Sequence, residues 1–310
     1  MTNSFFQKNQ NLSKKQLIII TGATGSGKSK YAIELAKRIN GVIINCDCMQ
    51  IYKQIPIITA QPTIQEQSDV KHFLYGFYNI NNYHEHCYSV GEYILDLKNI
   101  LKKIEKEMND KIPIIVGGTM LYITAIINGI SKIPDIKEDI RKNIELKYQN
   151  LKIEELYSQL EKIDKKYAKV VDKNNPHRIL RGIEVKLSTG KSIIDFWEEK
   201  TNTDNYFYKN YEIKKYIMCL DRNRLYDNIN KRFDKMVKNG ALEEVFNLIN
   251  ISKKQELPKA IGIKQILDYY NGNISLDCAI EISKQESRNY AKRQLTWFRK
   301  RFSDFEKIFV

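Results

Sequence analysis

The segment from Leu17 to Ser29 constrains the fold of this chain more than any other part of the sequence. Its first residues, Leu17-Ile18-Ile19-Ile20, form a continuous apolar run that predicts a strand buried on both faces. The helix that we expect to begin near Ser29 stops at Asn40-Gly41, a typical C-terminal signal. Between strand and helix lies a match to the phosphate-binding loop pattern: Gly22, Ala23, Thr24, Gly25, Ser26, Gly27, Lys28 and Ser29.

The residue types of this loop indicate its chemistry. Glycine lets successive backbone N–H groups turn towards an anion, and the positive end of the following helix adds to their attraction. Lys28 has the reach to contact a terminal phosphate, and the hydroxyl of Ser29 has the chemistry to bind Mg²⁺. The loop therefore predicts a bound polyphosphate with magnesium, but it does not say which polyphosphate.

Two further apolar runs end in polar residues that are candidates for the same site. Residues 42–45 predict a buried strand that leads to Asp47, and residues 113–116 predict another that leads through two glycines to Thr119. The carboxyl ends of the strands line the ligand crevice of an open α/β sheet, so both side chains can face a ligand. Each has a structural alternative, because Asp47 can be a turn or cap residue and Thr119 can cap the next helix.

A later strand and helix carry a third candidate, Arg222. Strand-like residues 215–220 precede a helix with apolar residues at helical spacing, which stops at Asn239-Gly240. Arg222 would lie at the start of that helix, where the helix dipole disfavours a cation. A bound anion would account for an arginine there.

The middle of the chain differs in sequence pattern from the segments on either side. From about residue 131 to 204 the strand-like runs disappear and charged helical periodicity takes over. We therefore expect an α/β core formed by residues 1–130 and 205–310, interrupted by an all-helical insertion at 131–204. Within the insertion, Arg178 and Arg181 would share one side of a helix, as either a solvated face or a binding surface.

The charge of the chain suggests a polyanionic partner. The net charge is +14, and the last predicted helix places cations beside Tyr290 and Trp297, a mixture that suits RNA. Two alternatives stay open: a generally lysine-rich composition, and an amphipathic helix that packs its aromatic residues into the core.

Other features exclude several classes of protein. No apolar run approaches the ~18 residues of a membrane span and no signal-peptide core is present, so we expect a cytoplasmic protein. The five cysteines form no C-x-x-C pair, which argues against a disulfide framework or a zinc ribbon. His84, His86 and Cys87 match no structural zinc spacing, and we interpret that segment as a surface loop.

Together these stretches resemble the tRNA dimethylallyltransferase family, also called tRNA isopentenylpyrophosphate transferases. The family usually has Ser where this chain has Cys48 and Tyr where it has Ile263, whereas the catalytic positions show no departure. The matching segments run in order over nearly the whole chain: 22–29, 47–52, 59–62, 88–93, 113–122, 176–181, 222 with its helix, 260–262 and 291–299.

The resemblance implies a specific reaction. The phosphate loop would hold the diphosphate of dimethylallyl diphosphate, not ATP, with Mg²⁺, and N6 of the adenosine immediately 3′ of the tRNA anticodon would be alkylated. In that reaction Asp47 would act as general base or as hydrogen-bond acceptor for N6. Lys28, Arg222 and Ser29 with Mg²⁺ would stabilise the leaving pyrophosphate, and Thr119 would contact N6 or the bridging oxygen.

The resemblance also implies a tRNA contact surface. We expect the anticodon stem-loop as the partner, no membrane association and a monomer. The positions that would contact tRNA are Asp47, Cys48, Met49, Gln50, Thr119, Arg141, His177, Arg178, Ile179, Leu180, Arg181, Lys259, Lys264, Lys292, Arg293, Trp297 and Arg299.

Three other functions explain parts of the sequence. A nucleotide kinase accounts for the phosphate loop but not for the missing acid after residues 113–116. An adenylate prenyltransferase would not need the insertion or the cationic last helix. A non-catalytic RNA-binding module would leave Lys28, Ser29, Asp47 and Thr119 without a role.

Overall fold

A parallel sheet lies at the centre of the fold. The computed structural model describes residues 14–83, 88–199, 205–252 and 257–310, to which the structural statements below refer. The strands are β1 (Lys15–Gly22), β2 (Gly41–Asn45), β3 (His72–Phe73), β4 (Ile112–Gly117), β5 (Tyr211–Cys219) and β6 (Glu306–Phe309). They lie in the order β3-β2-β4-β1-β5-β6, and all neighbouring pairs are parallel. The parallel α/β sheet predicted from the sequence is confirmed.

Successive residues of β1 belong to two layers of core. Ile18 and Ile20 pack in a buried cluster with residues of the first helix, whereas Leu17 and Ile19 belong to a second buried cluster. Because alternate residues of a strand point to opposite faces, both faces of β1 are covered. This is why the strand is apolar at every position from Leu17 to Ile20, as in other central parallel strands.

The ends of several helices are set by local sequence. Ser89 and Glu92 form a capping box: the Glu92 N–H donates to Ser89 Oγ at 3.2 Å, and the Ser89 N–H donates to the Glu92 carboxylate at 2.8 Å. The first helix ends at Asn40, which has a left-handed φ of 57°. In chain order the helices are α1 (Lys28–Ile39), α2 (Ile64–Asp69), α3 (Val90–Glu107), α4 (Met120–Asn128), α5 (Glu138–Tyr148), α6 (Ile153–Ile163), α7 (Lys165–Ala168), α8 (Pro176–Thr189), α9 (Ile193–Glu198), α10 (Tyr206–Asn210), α11 (Arg222–Lys238), α12 (Ala241–Ser252), α13 (Ile263–Tyr270) and α14 (Leu276–Arg301).

The chain divides into two compact units. The first consists of residues 1–127 and 206–310 and contains the sheet, and the second consists of Asn128–Asn205. The second unit contains α5 to α9 and has its own buried core, which includes Leu160, Ile179 and Ile183. Its described part contains helices and connecting loops without a strand.

The two edge strands of the sheet, β3 and β6, are short and are not predicted from the sequence. The predicted surface loop at His84, His86 and Cys87 falls outside the described residues. In the part of the chain that is described, no helix combines the length and apolar character needed to cross a membrane.

Candidate active site

The predicted phosphate loop is a tight connection from β1 to α1. It leaves the strand at Gly22 and enters the helix at Lys28. Gly25 and Gly27 have φ angles of 79° and 83°, in the left-handed region that residues with a Cβ rarely adopt. No acidic residue lies in the first turn of α1, so its positive end is available to an anion.

Two hydroxyl groups of this loop have different environments. Ser26 is 3 % exposed, and its Oγ has no hydrogen-bond partner among the described residues. Since buried hydroxyls nearly always have a partner, this one is suited to a ligand oxygen. Ser29 is exposed in the first turn of α1. Its hydroxyl and the oxygens of a bound diphosphate are the hard ligands that Mg²⁺ prefers, so the residues present fit a magnesium ion held partly by substrate.

Lys28 is the partly buried cation of the loop. Its Nζ donates a hydrogen bond to the carbonyl oxygen of Ala23 at 3.4 Å. Burial lowers the pKa of Lys28 from 10.5 to about 8, Asp47 opposes this, and Arg232 adds to it. Among the described residues, the opposite charge of Asp47 offsets only part of the cost of burying this ammonium group, and a phosphate anion would supply a further counter-charge.

Asp47 lies in the loop after β2, and one of its two carboxylate oxygens accepts a hydrogen bond from the backbone of that loop. Its Oδ1 accepts the Met49 N–H at 3.0 Å, and its own N–H donates to Asn45 Oδ1 at 2.9 Å. Its Oδ2 accepts no hydrogen bond from the described residues. One oxygen thus fixes the loop while the other is available to a ligand.

Thr119 is bonded to both neighbours of Asp47. Its N–H donates to the Cys46 carbonyl at 3.2 Å, and its Oγ1 accepts the Cys48 N–H at 2.9 Å. The side chain is 9 % exposed and is not part of the cavity lining described next. In this structure Thr119 holds the Asp47 loop, and its hydroxyl proton stays available to a further acceptor.

A cavity of about 310 Å³ lies where these loops meet α11, α14 and the segment before α13. Its walls combine cations, Asp47 and a group of apolar side chains, a composition suited to a ligand with an anionic and an apolar part. The lining residues are Thr24, Lys28, Asp47, Cys48, Met49, Ile58, Thr59, Ile229, Arg232, Phe233, Met236, Lys259, Ala260, Ile261, Ser287, Tyr290, Arg293 and Gln294.

The arginine of α11 that lines this cavity is Arg232, not the predicted Arg222. Ten residues of helix place the two about 15 Å apart along the axis. Arg222 is exposed, and its guanidinium lies 5.2 Å from the centre of the Tyr226 ring. Asp221 caps the helix through the N–H groups of Asn223 and Arg224. The prediction for Arg222 is therefore corrected: Asp221, rather than a ligand, supplies the negative charge at this helix end.

Two residues of α14 that the sequence patterns do not single out, Ser287 and Gln294, also belong to the site. Ser287, Tyr290 and Gln294 line the cavity, and their spacing of three and four residues places them on one face of the helix. Arg232 follows the same rule, since it lies three residues after the buried Ile229. Polar side chains in register with buried positions are the signal that could have identified Ser287, Gln294 and Arg232, whereas the sequence already singles out Tyr290 as an aromatic residue beside cations.

Some positions predicted to contact tRNA line the cavity. They are Asp47, Cys48, Met49, Lys259 and Arg293. Gln50 has a different function in the fold, because its Nε2 donates to the carbonyls of Thr59 at 2.9 Å and Ala60 at 2.7 Å. It stabilises the loop that forms one cavity wall.

Other predicted contacts lie on α13 and α14 of the first unit, where the cations are exposed and Trp297 is partly buried against the core. Lys292, Arg293 and Trp297 share a shallow pocket on α14, where the Arg301 guanidinium is 5.4 Å from the Trp297 ring centre. Arg299 is also exposed on α14, and Lys264 on α13 pairs with Asp268 at 2.9 Å.

The second unit holds the remaining predicted contacts. Arg141, His177 and Arg178 are exposed. Arg181 is partly buried, and its Nη1 lies 3.0 Å from Oε2 of Glu184. The three exposed cationic or polar side chains are therefore accessible to an anionic partner.

Ile179 and Leu180 differ from their neighbours on α8. Ile179 is 0 % exposed and belongs to the core of the second unit. Its predicted contact with tRNA is wrong for the side chain, because a helix segment that binds a partner on one face turns its opposite face to the core. Leu180 is partly buried and packs against the same core.

The sequence matches a known family and its named relatives. A model of the IPP transferase family matches residues 50–301. The tRNA dimethylallyltransferase of Ehrlichia chaffeensis is 41 % identical over 289 residues, which cover 92 % of this chain and 91 % of that protein. The tRNA dimethylallyltransferase of Pelagibacter ubique is 39 % identical over 298 residues, covering 95 % and 92 %.

Solved structures agree with these matches. The tRNA isopentenylpyrophosphate transferase of Bacillus halodurans is 33 % identical, with a TM-score of 0.66 over 96 % of this chain and 90 % of that one. A eukaryotic dimethylallyltransferase described as acting on tRNA has a TM-score of 0.79 at 26 % identity, over 95 % and 74 % of the two chains.

Proposed function

This chain belongs to the IPP transferase family, and from that premise we propose that it transfers a dimethylallyl group from dimethylallyl diphosphate to N6 of adenosine 37 of tRNA, immediately 3′ of the anticodon. The products would be N6-isopentenyladenosine and pyrophosphate. The family and the transferase class predicted from the sequence are confirmed by the relatives. The observation that carries the proposal is a single cavity that joins the phosphate loop, Asp47 and an apolar wall.

The donor would bind with its diphosphate on the phosphate loop. The anion would be held by the loop N–H groups, Lys28, Arg232 and the Ser26 hydroxyl, which has no partner within the described ranges. The same groups would stabilise the negative charge that develops as the diphosphate leaves. Ser29 would hold Mg²⁺, which when bound neutralises part of that charge.

The apolar part of the cavity would receive the five-carbon chain. Ile58, Phe233 and Met236 line it together with Ile229. These side chains exclude water from the carbon that is attacked, which protects it from hydrolysis.

The acceptor would approach from the side of Asp47. The acceptor atom is N6 of the adenine, whose lone pair is delocalised into the purine ring, so N6 is a weak nucleophile. As the N6–C bond forms and the C–O bond to diphosphate breaks, one N6 proton would pass to Oδ2 of Asp47, the oxygen that accepts no hydrogen bond from the described part of the chain. Thr119 would keep Oδ2 in place through its bonds to Cys46 and Cys48.

The basic surfaces would bind the anticodon stem-loop. We assign this role to the exposed residues Arg141, His177 and Arg178 of the second unit and to the cationic face of α14. The adenosine must leave its stack to enter the cavity, and unstacking is least costly in an unpaired loop.

The test is a transfer assay with radiolabelled dimethylallyl diphosphate, Mg²⁺ and one acceptor at a time: tRNA, AMP or ATP. We expect label in tRNA alone. Transfer to AMP would identify a free-nucleotide prenyltransferase, and phosphate transfer from ATP without use of the prenyl donor would identify a kinase; either would contradict the proposal.

Replacement of the proposed base provides a second test. Asp47→Asn should lower kcat by about 10²–10⁴-fold, because the amide cannot accept the proton, with tRNA binding nearly unchanged. Asp69→Asn is the matched control, since Asp69 pairs with Lys37 at 2.7 Å outside the cavity lining. Equal turnover of both variants would remove Asp47 from the chemistry.

A further inference from the structure

Gln294 of α14 forms two hydrogen bonds that connect loops distant in sequence. The Thr24 N–H of the phosphate loop donates to its Oε1 at 2.9 Å. Its Nε2 donates to the Gly118 carbonyl, at the end of β4, at 2.8 Å. The residue is 1 % exposed, so these bonds are shielded from competing water.

Only an amide of this length satisfies both partners. One end must accept from an N–H and the other must donate to a carbonyl, and among side chains of this size glutamine alone does both. The carboxylate of glutamate would place an acceptor against the Gly118 carbonyl. Gly118 is restricted in turn, because a Cβ added there would lie 2.5 Å from Gln294 Nε2.

The bond to Gly118 continues towards Asp47. The next residue, Thr119, donates from its N–H to the Cys46 carbonyl and accepts the Cys48 N–H at its Oγ1. Hydrogen bonds therefore run from Thr24 through Gln294 to the residues on both sides of Asp47. The loop that would hold the leaving diphosphate and the loop that carries the proposed base are joined through one side chain.

We propose that Gln294 is a positioning residue that sets the distance between bound diphosphate and Asp47. It contacts neither reacting atom; it acts through the two loops. The inference rests on the proposed transferase function and goes beyond it by assigning to this buried amide the alignment of donor and acceptor. An error of about 1 Å in such alignment lowers turnover by about 100-fold while affecting binding less.

The first test compares Gln294→Met, which removes both bonds at similar volume, and Gln294→Glu, which opposes the bond to Gly118. Each should lower kcat per folded molecule by about 10- to 100-fold, with KM values for dimethylallyl diphosphate and tRNA within about twofold of the wild type. Gln285→Ala, at an exposed position on the same helix, should keep wild-type kinetics. Folded fractions are measured by urea unfolding.

A double-mutant cycle tests the same contact from the side of Gly118, and its Gly118→Ala single variant keeps Gln294, so that it stays informative where Gln294→Met fails to fold. Gly118→Ala should lower kcat because its Cβ displaces the Gln294 amide. Added to Gln294→Ala, it should cause little further loss, since the contact is already absent. Wild-type kcat in Gln294→Glu or Gln294→Met, or multiplicative losses in the cycle, would overturn the proposal. An inactive wild type would instead overturn the transferase function itself.

Discussion

Replacement of Lys28 by methionine would separate two consequences of its burial. Methionine has a similar length and fills similar space but carries no charge. We expect Lys28→Met to raise the free energy of unfolding of the ligand-free protein and, at the same time, to weaken diphosphate binding. The charge of Lys28 would then contribute to diphosphate binding while it destabilises the ligand-free fold.

The size of the stabilisation follows from the pKa of Lys28. Burial lowers it from 10.5 to about 8, which corresponds to about 3 kcal/mol against the protonated folded state. Loss of the 3.4 Å hydrogen bond to Ala23 offsets about 1 kcal/mol, which leaves a gain of about 2 kcal/mol. Because the folded pKa is below the unfolded one, the gain is full below a pH of about 8, declines as the pH rises towards 10.5, and then disappears.

Urea unfolding of both proteins at about pH 7 and about pH 9.5 measures this difference. The control is Lys30→Met, since Lys30 is exposed on α1 and should be replaceable without effect. Pyrophosphate with Mg²⁺ should then stabilise the wild type more than Lys28→Met. The reasoning would be refuted if Lys28→Met were no more stable than the wild type at about pH 7 while Lys30→Met left the stability unchanged.

Three further predictions test the placement of charged side chains. Arg232→Ala should lower kcat/KM for dimethylallyl diphosphate by about 10²–10³-fold, because a cation that faces the leaving group is lost. Arg222→Ala should stay close to wild type in the same assay; a larger loss in Arg222→Ala than in Arg232→Ala would restore the sequence-based assignment. Glu244→Ala should lower the free energy of unfolding in urea by about 2–4 kcal/mol, because Glu244 accepts the N–H groups of Ile57 and Ile58, both at 2.7 Å; equal stability would contradict this. Arg178→Ala should weaken tRNA binding and reduce the slope of log Kd against log salt by about one, with donor affinity unchanged; an unaltered slope would show that Arg178 is merely solvated.

The phosphate loop and the elements on either side of it could be predicted from local sequence. The apolar run Leu17–Ile20 is sufficient for a strand buried on both faces, and Gly25 and Gly27 permit the left-handed turns that lead into α1. The helix stop at Asn40 follows from the same kind of information. Each of these features depends on a residue's own backbone preference or on neighbours within one or two turns, which are present in the sequence itself.

Arg222 shows where such reasoning fails. The helix-dipole argument correctly identifies a cation in an unfavourable position but does not identify what compensates it. In the structure the compensating negative charge is the neighbouring Asp221, which caps the helix, and the arginine that lines the cavity is Arg232. Choosing between two arginines of one helix requires the direction in which each face points, and that is fixed by the elements packed around it.

Sequence alone determined the class of fold, the phosphate loop and the residues able to carry charge or protons. Only the tertiary structure decided which of them meet: Thr24 and Gln294 are 270 positions apart in the chain yet share a hydrogen bond, and Thr119 bonds to the Asp47 loop instead of serving only as a helix cap. The physical reason is that β1 lies between β4 and β5, whereas all buried parallel strands have similar apolar sequences that do not specify their neighbours.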